Sequence, residues 1–593
     1  MPLVLRLFLL VFCVAPPLVR PARATNAAFD QWVDAFTAEW SRGSPSASGS
    51  AADAADNGDL DTVLLAVQNA QREQRVALAQ RGLAEVAQFG PDALDASQRV
   101  SVELLRWHLD MFLARQPFAD HAFVFRQLRG LHVALVDSIA ERSPLRRPRD
   151  VDGYLERLGK VSGQIDQGIA RARAAAAKGL IPPRFILERS LQQLEMFLEP
   201  PAAQNVYVTS LSGRGAAVEG LVAGRLAKAV TEATRVVAEQ VRPAYGRVQT
   251  LLLELLPRST DDAGISQRPE GAAAYAQALA FFTSTKLTAD EIHAIGLREV
   301  ARLEREMDGL LRQLGFTEGS FAERLGRAAF GPPLPETPEP RGVLIARYTE
   351  IIRDAEQRST SLFNLKPTAP VEVRRVPALT ERTASAHYTA PPADGSRGGV
   401  FWVPLPGSVF SLTPRMRSLA YHEAVPGHHF QLAIQQELKE LPRFRARRTF
   451  GAISAHSEGW GLYVEHLAVE QGWYDGDVAG RLGALSSELF RAKRLVVDTG
   501  LHTQRWTRQR AIDYGIAASE VERYVVNPGQ ACSYMIGMLR IIELREQAKA
   551  ALGARFSLPA FHDVILRTGT VPLDLLSSVV HEWMAAQANG PRP

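Results

Sequence analysis

The chain has 593 residues, with 68 Lys+Arg against 64 Asp+Glu and only two cysteines. Its 46% hydrophobic and 22% charged residues are ordinary for a globular protein and exclude a disordered, fibrous or disulfide-rich class. The formal charge of +4 is spread along the chain and not gathered into a basic block, which argues against a nucleic-acid partner.

The opening residues predict a secretory leader. Arg6 precedes an apolar run from Leu7 to Leu18, and Ala22-Arg23-Ala24 places small residues around a cleavage point. That run is shorter than the ~20 residues a membrane-spanning helix needs. Phe12 directly before Cys13 is too bulky for lipoprotein processing, so cleavage is expected after Ala24. Cys532 then stands alone, no internal disulfide can form, and stability must come from the core. No later stretch reaches 18 uninterrupted apolar residues, so no membrane span is expected. Residues 25–593 read as a single exported, periplasmic or extracellular domain, with sub-lobes at 25–256 and 270–593. Oligomeric state leaves no mark in the sequence.

Apolar positions at three- and four-residue spacing start at Ala28–Trp40 and resume over Leu60–Val86 and Gln98–Gln116. Ser41 to Asp59 between them is a loop of small and polar residues. Asp150 to Gly179 has an acidic start and a glycine stop, and Ala217 to Leu256 reads as a long helix interrupted near Pro243. Pro- and Gly-rich breaks fall at Pro257–Gly271 and Gly331–Gly342. Around Val371–Leu379 and His387–Leu405, β-branched and aromatic residues flank turns, which predicts a small sheet or long hairpin.

The segment after that sheet carries the chemistry. It reads His422-Glu423, then Pro426-Gly427, then His428-His429. In zinc hydrolases two histidines hold the metal while an adjacent glutamate takes a proton from water. The usual helical spacing of the two histidines is i,i+4, which is not met here. On a regular helix His428 would point ~240° away from His422, and His429 would lie ~10.5 Å along the axis. Pro426 removes the i→i−4 bond to His422, and Gly427 adds backbone freedom. A two-residue bulge there makes i+6 an effective i+4, favouring His428 over His429 as second ligand.

A third ligand is needed, with the fourth position left for water. The next helical pattern, from Ala452 to Trp473, carries Glu458 and Glu465 two turns apart on one face. Glu458 is the expected ligand, with Glu465 in support or in reserve.

HEAVPGHH, SEGWGLYVE, YVVNPGQACSYMIG and FHDVILRTGTVPLDLL together resemble the bacterial family catalogued as domain of unknown function 885. The likeness extends upstream through GLIPPRF, KLTADEIHAIGLREV and PPADGSRGGVFWV, covering nearly the whole mature chain. It implies a largely helical, often exported protein of a family regarded as predicted metallopeptidases.

Tyr534, in the helix after Asn527-Pro528-Gly529, is either an oxyanion donor or a core aromatic. Asp498 and His502 either support the site or pair locally, and His387 and Tyr388 are placed to face the cleft. The resulting expectation is a mainly α, glutamate-liganded zincin-like (gluzincin-type) metallopeptidase with a small sheet beside the metal helix. His422, His428 and Glu458 would hold Zn²⁺, Glu423 would be the base, and short peptides the substrates. A metal-dependent amidase or esterase, and a non-catalytic zinc-containing periplasmic binding protein, are the alternatives.

Overall fold

A computed structural model of the protein describes residues 25–42, 68–329, 334, 339–376, 381, 385–392, 395, 397–407 and 410–589. The predicted leader (1–24), most of the predicted loop at 41–59 and most of the break at 331–342 lie outside the described residues. The first helices are α1 (Ala27–Arg42), α2 (Asn69–Val86) and α3 (Ala96–Ala114). α3 opens on a capping box: the Asp95 side chain accepts from the Gln98 N–H, and the Gln98 side chain accepts from the Asp95 N–H. Five helices follow: α4 (Asp150–Ala177), α5 (Arg184–Leu198), α6 (Val206–Ala216), α7 (Ala223–Val236) and α8 (Arg242–Leu255). A wide π-type turn over Val237–Val241 joins α7 to α8, so the chain absorbs Pro243, which has no N–H to donate, without ending the rod.

Apolar packing divides these helices differently from the expected sub-lobes. One buried cluster is built from residues between Val124 and Leu255. Phe29, Val33 and Phe36 of α1 belong instead to the larger cluster, together with residues from Ala263 to Val580. The reason is aromatic: Phe36 stacks on Phe450, far along the chain, and Trp40 packs against the same ring at a tilt. The smaller cluster begins at Val124.

After α9 (Gly271–Thr283), α10 (Ala289–Gln313) and α11 (Pro340–Arg358) come three strands. They are β1 (Val371–Arg375), β2 (His387–Thr389) and β3 (Gly399–Val403), in the order β1-β3-β2. β3 is central and almost wholly buried; it runs parallel to β1 and antiparallel to β2, with His387 opposite Trp402. β2 is thus a sheet edge among the described residues.

Further helices, among them those that build the site, are α12 (Met416–Glu423), α13 (His428–Glu437), α14 (Ser454–Glu470), α15 (Val478–Thr503), α16 (Ser533–Leu552), α17 (Leu558–Thr568) and α18 (Leu573–Asn589). α14 is buried on nearly every side although seven of its seventeen residues are Ser, His or Glu, so those polar side chains must find partners inside the protein. α14 and α16 cross where Gly459 meets Gly537: a Cβ at Gly459 would stand 2.5 Å from the Gly537 Cα. Only paired glycines allow that approach. No helix among the described residues is long and apolar enough to cross a membrane.

Candidate metal centre

The expected bulge is a full break. α12 stops at Glu423, four non-helical residues follow, and α13 restarts at His428. Val425–Pro426 is a cis peptide bond. Gly427 folds back onto the end of α12 so closely that a Cβ would lie 2.0 Å from the His422 carbonyl oxygen and 2.3 Å from that of Tyr421. Backbone room at this contact requires glycine here. Two bonds across the break hold it: the His429 N–H donates to the Ala424 carbonyl (3.2 Å), and the buried Trp460 indole donates to the Pro426 carbonyl (3.1 Å). The second satisfies an acceptor that the broken helix leaves unpaired.

This geometry brings His422 and His428 together, ring centroids 4.8 Å apart and nearly perpendicular. Glu458 reaches both from α14: its Oε2 is 3.4 Å from His422 Nε2 and 3.6 Å from His428 Nε2. One donor atom from each residue lies within 4.8 Å of the others. Donors at ~2.0–2.1 Å from a tetrahedral zinc stand about 3.4 Å apart, so the trio fits that ion with little adjustment. His429 is directed elsewhere. Its Nδ1 shares a 2.9 Å hydrogen bond with the Tyr388 hydroxyl, and burial holds its imidazole down at about 4.

Glu465, two turns beyond Glu458, stands behind the trio. Its Oε1 accepts from His422 Nδ1 at 2.8 Å, and Oε2 accepts from the Ser418 and Ser487 hydroxyls. Because Nδ1–H is committed to Glu465, it is Nε2 that would give up its proton and turn a lone pair towards a cation shared with Glu458 and His428. Between the two glutamates α14 presents Gly461, and the His422 ring lies flat over it: a Cβ there would be 2.6–2.9 Å from Cε1, Nδ1 and Nε2.

Gly461 and the crossing pair Gly459 and Gly537 are site-building residues the sequence reading passed over. The signal was available, because glycine in a helix interior costs about 1 kcal/mol relative to alanine and its repetition in SEGWG implies close contact.

Electrostatics gather negative charge around the imidazoles. Burial lowers His422, but the hydrogen bonds to Glu458 and Glu465 outweigh it and hold the ring up at about 10. Glu458 resists burial and sits well below the usual carboxylate range because both histidines face it. Glu465 also resists burial and falls to about 2 through Arg491 and His422. Carboxylates that retain a proton on an imidazole so strongly would hold a divalent cation in its stead. Glu423 goes the other way: burial pushes its carboxyl up, only partly offset by His422 and His428.

Tyr534 lies beside the site, its ring 6.3 Å from that of His422 and roughly parallel. The glycine crossing places it there, one turn before Gly537 on α16. The charge of His387, on edge strand β2, also acts on Glu423, whereas Tyr388 turns to His429 on the opposite pleat. Asp498 and His502 are taken up by partners from distant parts of the chain. Asp498 accepts from the Tyr275 hydroxyl and the Gly529 N–H, and His502 links Ile265 N–H to the Tyr524 carbonyl.

Fold and site together define a mainly helical protein whose broken helix, beside a small mixed sheet, carries a half-buried histidine–glutamate cluster. The chain belongs to the bacterial protein family of unknown function DUF885, whose model matches residues 50–580. It is similar to the crystal structure of a candidate lipoprotein from Colwellia psychrerythraea at 29% identity and a TM-score of 0.85, covering 94% of this chain and 99% of the other. A candidate lipoprotein of unknown function from Shewanella oneidensis shares the fold at 18% identity and a TM-score of 0.70, covering 94% and 100% of the two chains. A candidate oligoendopeptidase F from Bacillus anthracis aligns with a TM-score of only 0.30 at 12% identity, over 86% and 96%, too weak to bear on fold or activity. Among curated proteins there is no match.

Proposed function

We propose that the protein is an exported zinc-dependent hydrolase of the glutamate-liganded zincin type, cleaving peptide bonds in short peptides. One observation carries this reading: His422, His428 and Glu458 converge on a single point with a buried carboxylate, Glu423, next to the first of them. Zinc held by these three residues would supply Lewis acidity and lower the pKa of water towards ~7. Glu423, its carboxyl raised by burial, accepts the proton of the attacking water and returns it to the leaving amine. Tyr534 donates its hydroxyl to the oxygen that gains charge. Edge strand β2 offers backbone donors and acceptors along which an extended peptide can lie, with His387 at the end near Glu423. That edge favours a peptide over a compact amide or ester. Export accords with the predicted leader and with relatives described as candidate lipoproteins.

The test is digestion of a mixed peptide library, read by mass spectrometry with and without chelator. Chelator-sensitive cleavage by the purified protein, lost by several orders of magnitude in Glu423→Gln while zinc content is retained, is expected. Equal turnover by that variant would defeat the mechanism. Turnover of amides or esters but no peptide would replace the substrate class.

A further inference from the structure

The face of α12 that carries His422 also carries a cation with no assigned role. Arg415, at the start of that helix, precedes His422 by seven residues, which puts both on one side about 10.5 Å apart along the axis. Arg415 keeps part of its surface in solvent, and among the described residues its side chain makes no hydrogen bond or ion pair. Two further guanidiniums stand near it on α15. Burial of its guanidinium lowers Arg415 most, and the like charges of Arg491 and Arg494 add to this, opposed by Glu465.

Neither of these arginines is fully satisfied. Arg491 donates Nη1 to Ser487 and stands 3.6 Å from Glu465, while its buried Nε has no hydrogen-bond partner among the described residues. Arg494 binds the Tyr524 hydroxyl and Glu520, covers the Tyr534 ring at 4.5 Å, and leaves a buried Nη1 without a hydrogen-bond partner. With Arg523, which shares Glu520 with Arg494, four guanidiniums thus meet two carboxylates, and one of these, Glu465, is already committed to His422, Ser418 and Ser487. Like charges collected against desolvated, unpaired N–H groups are relieved by an anion, and a planar two-oxygen anion suits the guanidinium fork best.

We infer that Arg415, backed by Arg491 and Arg494, binds a carboxylate of the substrate. An extended chain advances ~3.5 Å per residue, so a chain end two or three residues beyond the scissile bond spans the interval to Arg415. The inference rests on the peptidase reading and narrows its substrates to peptides presenting a carboxylate at that distance.

Binding to zinc-loaded Glu423→Gln protein, measured by calorimetry, tests it with three probes: acetyl-Ala-Ala-Ala as the free acid, the same peptide as its C-terminal amide, and acetyl-Ala-Ala-Asp amide. The free acid should bind at least about tenfold more tightly than its amide, as expected for a charge-assisted hydrogen bond. Adding Arg415→Gln should erase the difference, and Arg415→Lys should restore part of it. If the Asp amide binds as well as the free acid, the carboxylate recognised is that of a side chain. Equal binding of all three probes, no binding of any, or a preference untouched by Arg415→Gln would overturn the inference. Chelator-sensitive cleavage of the peptide library by the unaltered protein judges the peptidase reading separately.

Discussion

Replacing Gly461 with alanine adds one Cβ directly beneath the His422 imidazole. That carbon would lie 2.6 Å from Cε1, 2.8 Å from Nδ1 and 2.9 Å from Nε2, where comfortable contact is about 3.5–4.0 Å. The ring must therefore retreat by about 1 Å. It has little room to do so, because Nδ1 is tied at 2.8 Å to Glu465, which is itself held by Ser418 and Ser487. Losing that hydrogen bond costs ~1.5–3 kcal/mol and overpacking a further ~1–3 kcal/mol. The better helix propensity of alanine returns only about 1 kcal/mol. Net destabilisation by a few kcal/mol is expected, read as a lower thermal midpoint in chelator. Zinc affinity should fall by ~10–100-fold or more, because a ligand and its orienting partner are displaced together. Competition against a chromophoric chelator measures this. A Gly461→Ala protein that melts higher and binds zinc as tightly as the unaltered chain would refute the seating of His422 on α14.

Further outcomes follow from the same geometry. His428→Ala should release zinc by elemental analysis, whereas His429→Ala should keep it with at most ~10–100-fold weaker affinity, since His429 faces Tyr388; the reverse pattern would defeat the proposed ligand set. Tyr534→Phe should lower kcat by ~10²-fold at unchanged zinc content, and an unaltered kcat would remove it from the mechanism. Burial, partly offset by the hydrogen bonds from Tyr275 and Gly529, holds the Asp498 carboxyl up at about 7. The folded chain then keeps a proton that the unfolded chain releases above pH ~4, so this residue makes stability fall as pH rises from about 4 to 7. Asp498→Asn should remove a slope worth on the order of 4 kcal/mol across that window, measured by denaturant unfolding at several pH values; a slope left intact would contradict the assignment.

Much of the helical scaffold was legible because helices are local. Apolar spacing, Asp95 with Gln98, and the Pro426-Gly427 pair all act within a few residues of themselves. The closeness of His422, Glu423 and His428 was legible for the same reason: they lie in one short segment, and proline four residues after His422 excludes a regular helix there. Which of two adjacent histidines turns inward was a local question as well, although the answer came from a complete break and not a bulge. Other features depend on parts of the chain that meet only after folding. That Glu458 faces the histidines while Glu465 supports His422 from behind depends on where the imidazole rests, and Gly461 sets this from another helix. That Tyr534 stands beside His422, while Asp498 and His502 do not, depends on the crossing of Gly459 with Gly537. Phe36 and Trp40 pack against Phe450, some four hundred residues later, and so join α1 to the larger cluster. Side-chain periodicity reports which face of a helix is buried, but it carries no record of the partner. Close packing selects that partner, by whether two distant surfaces fit without a gap or a clash.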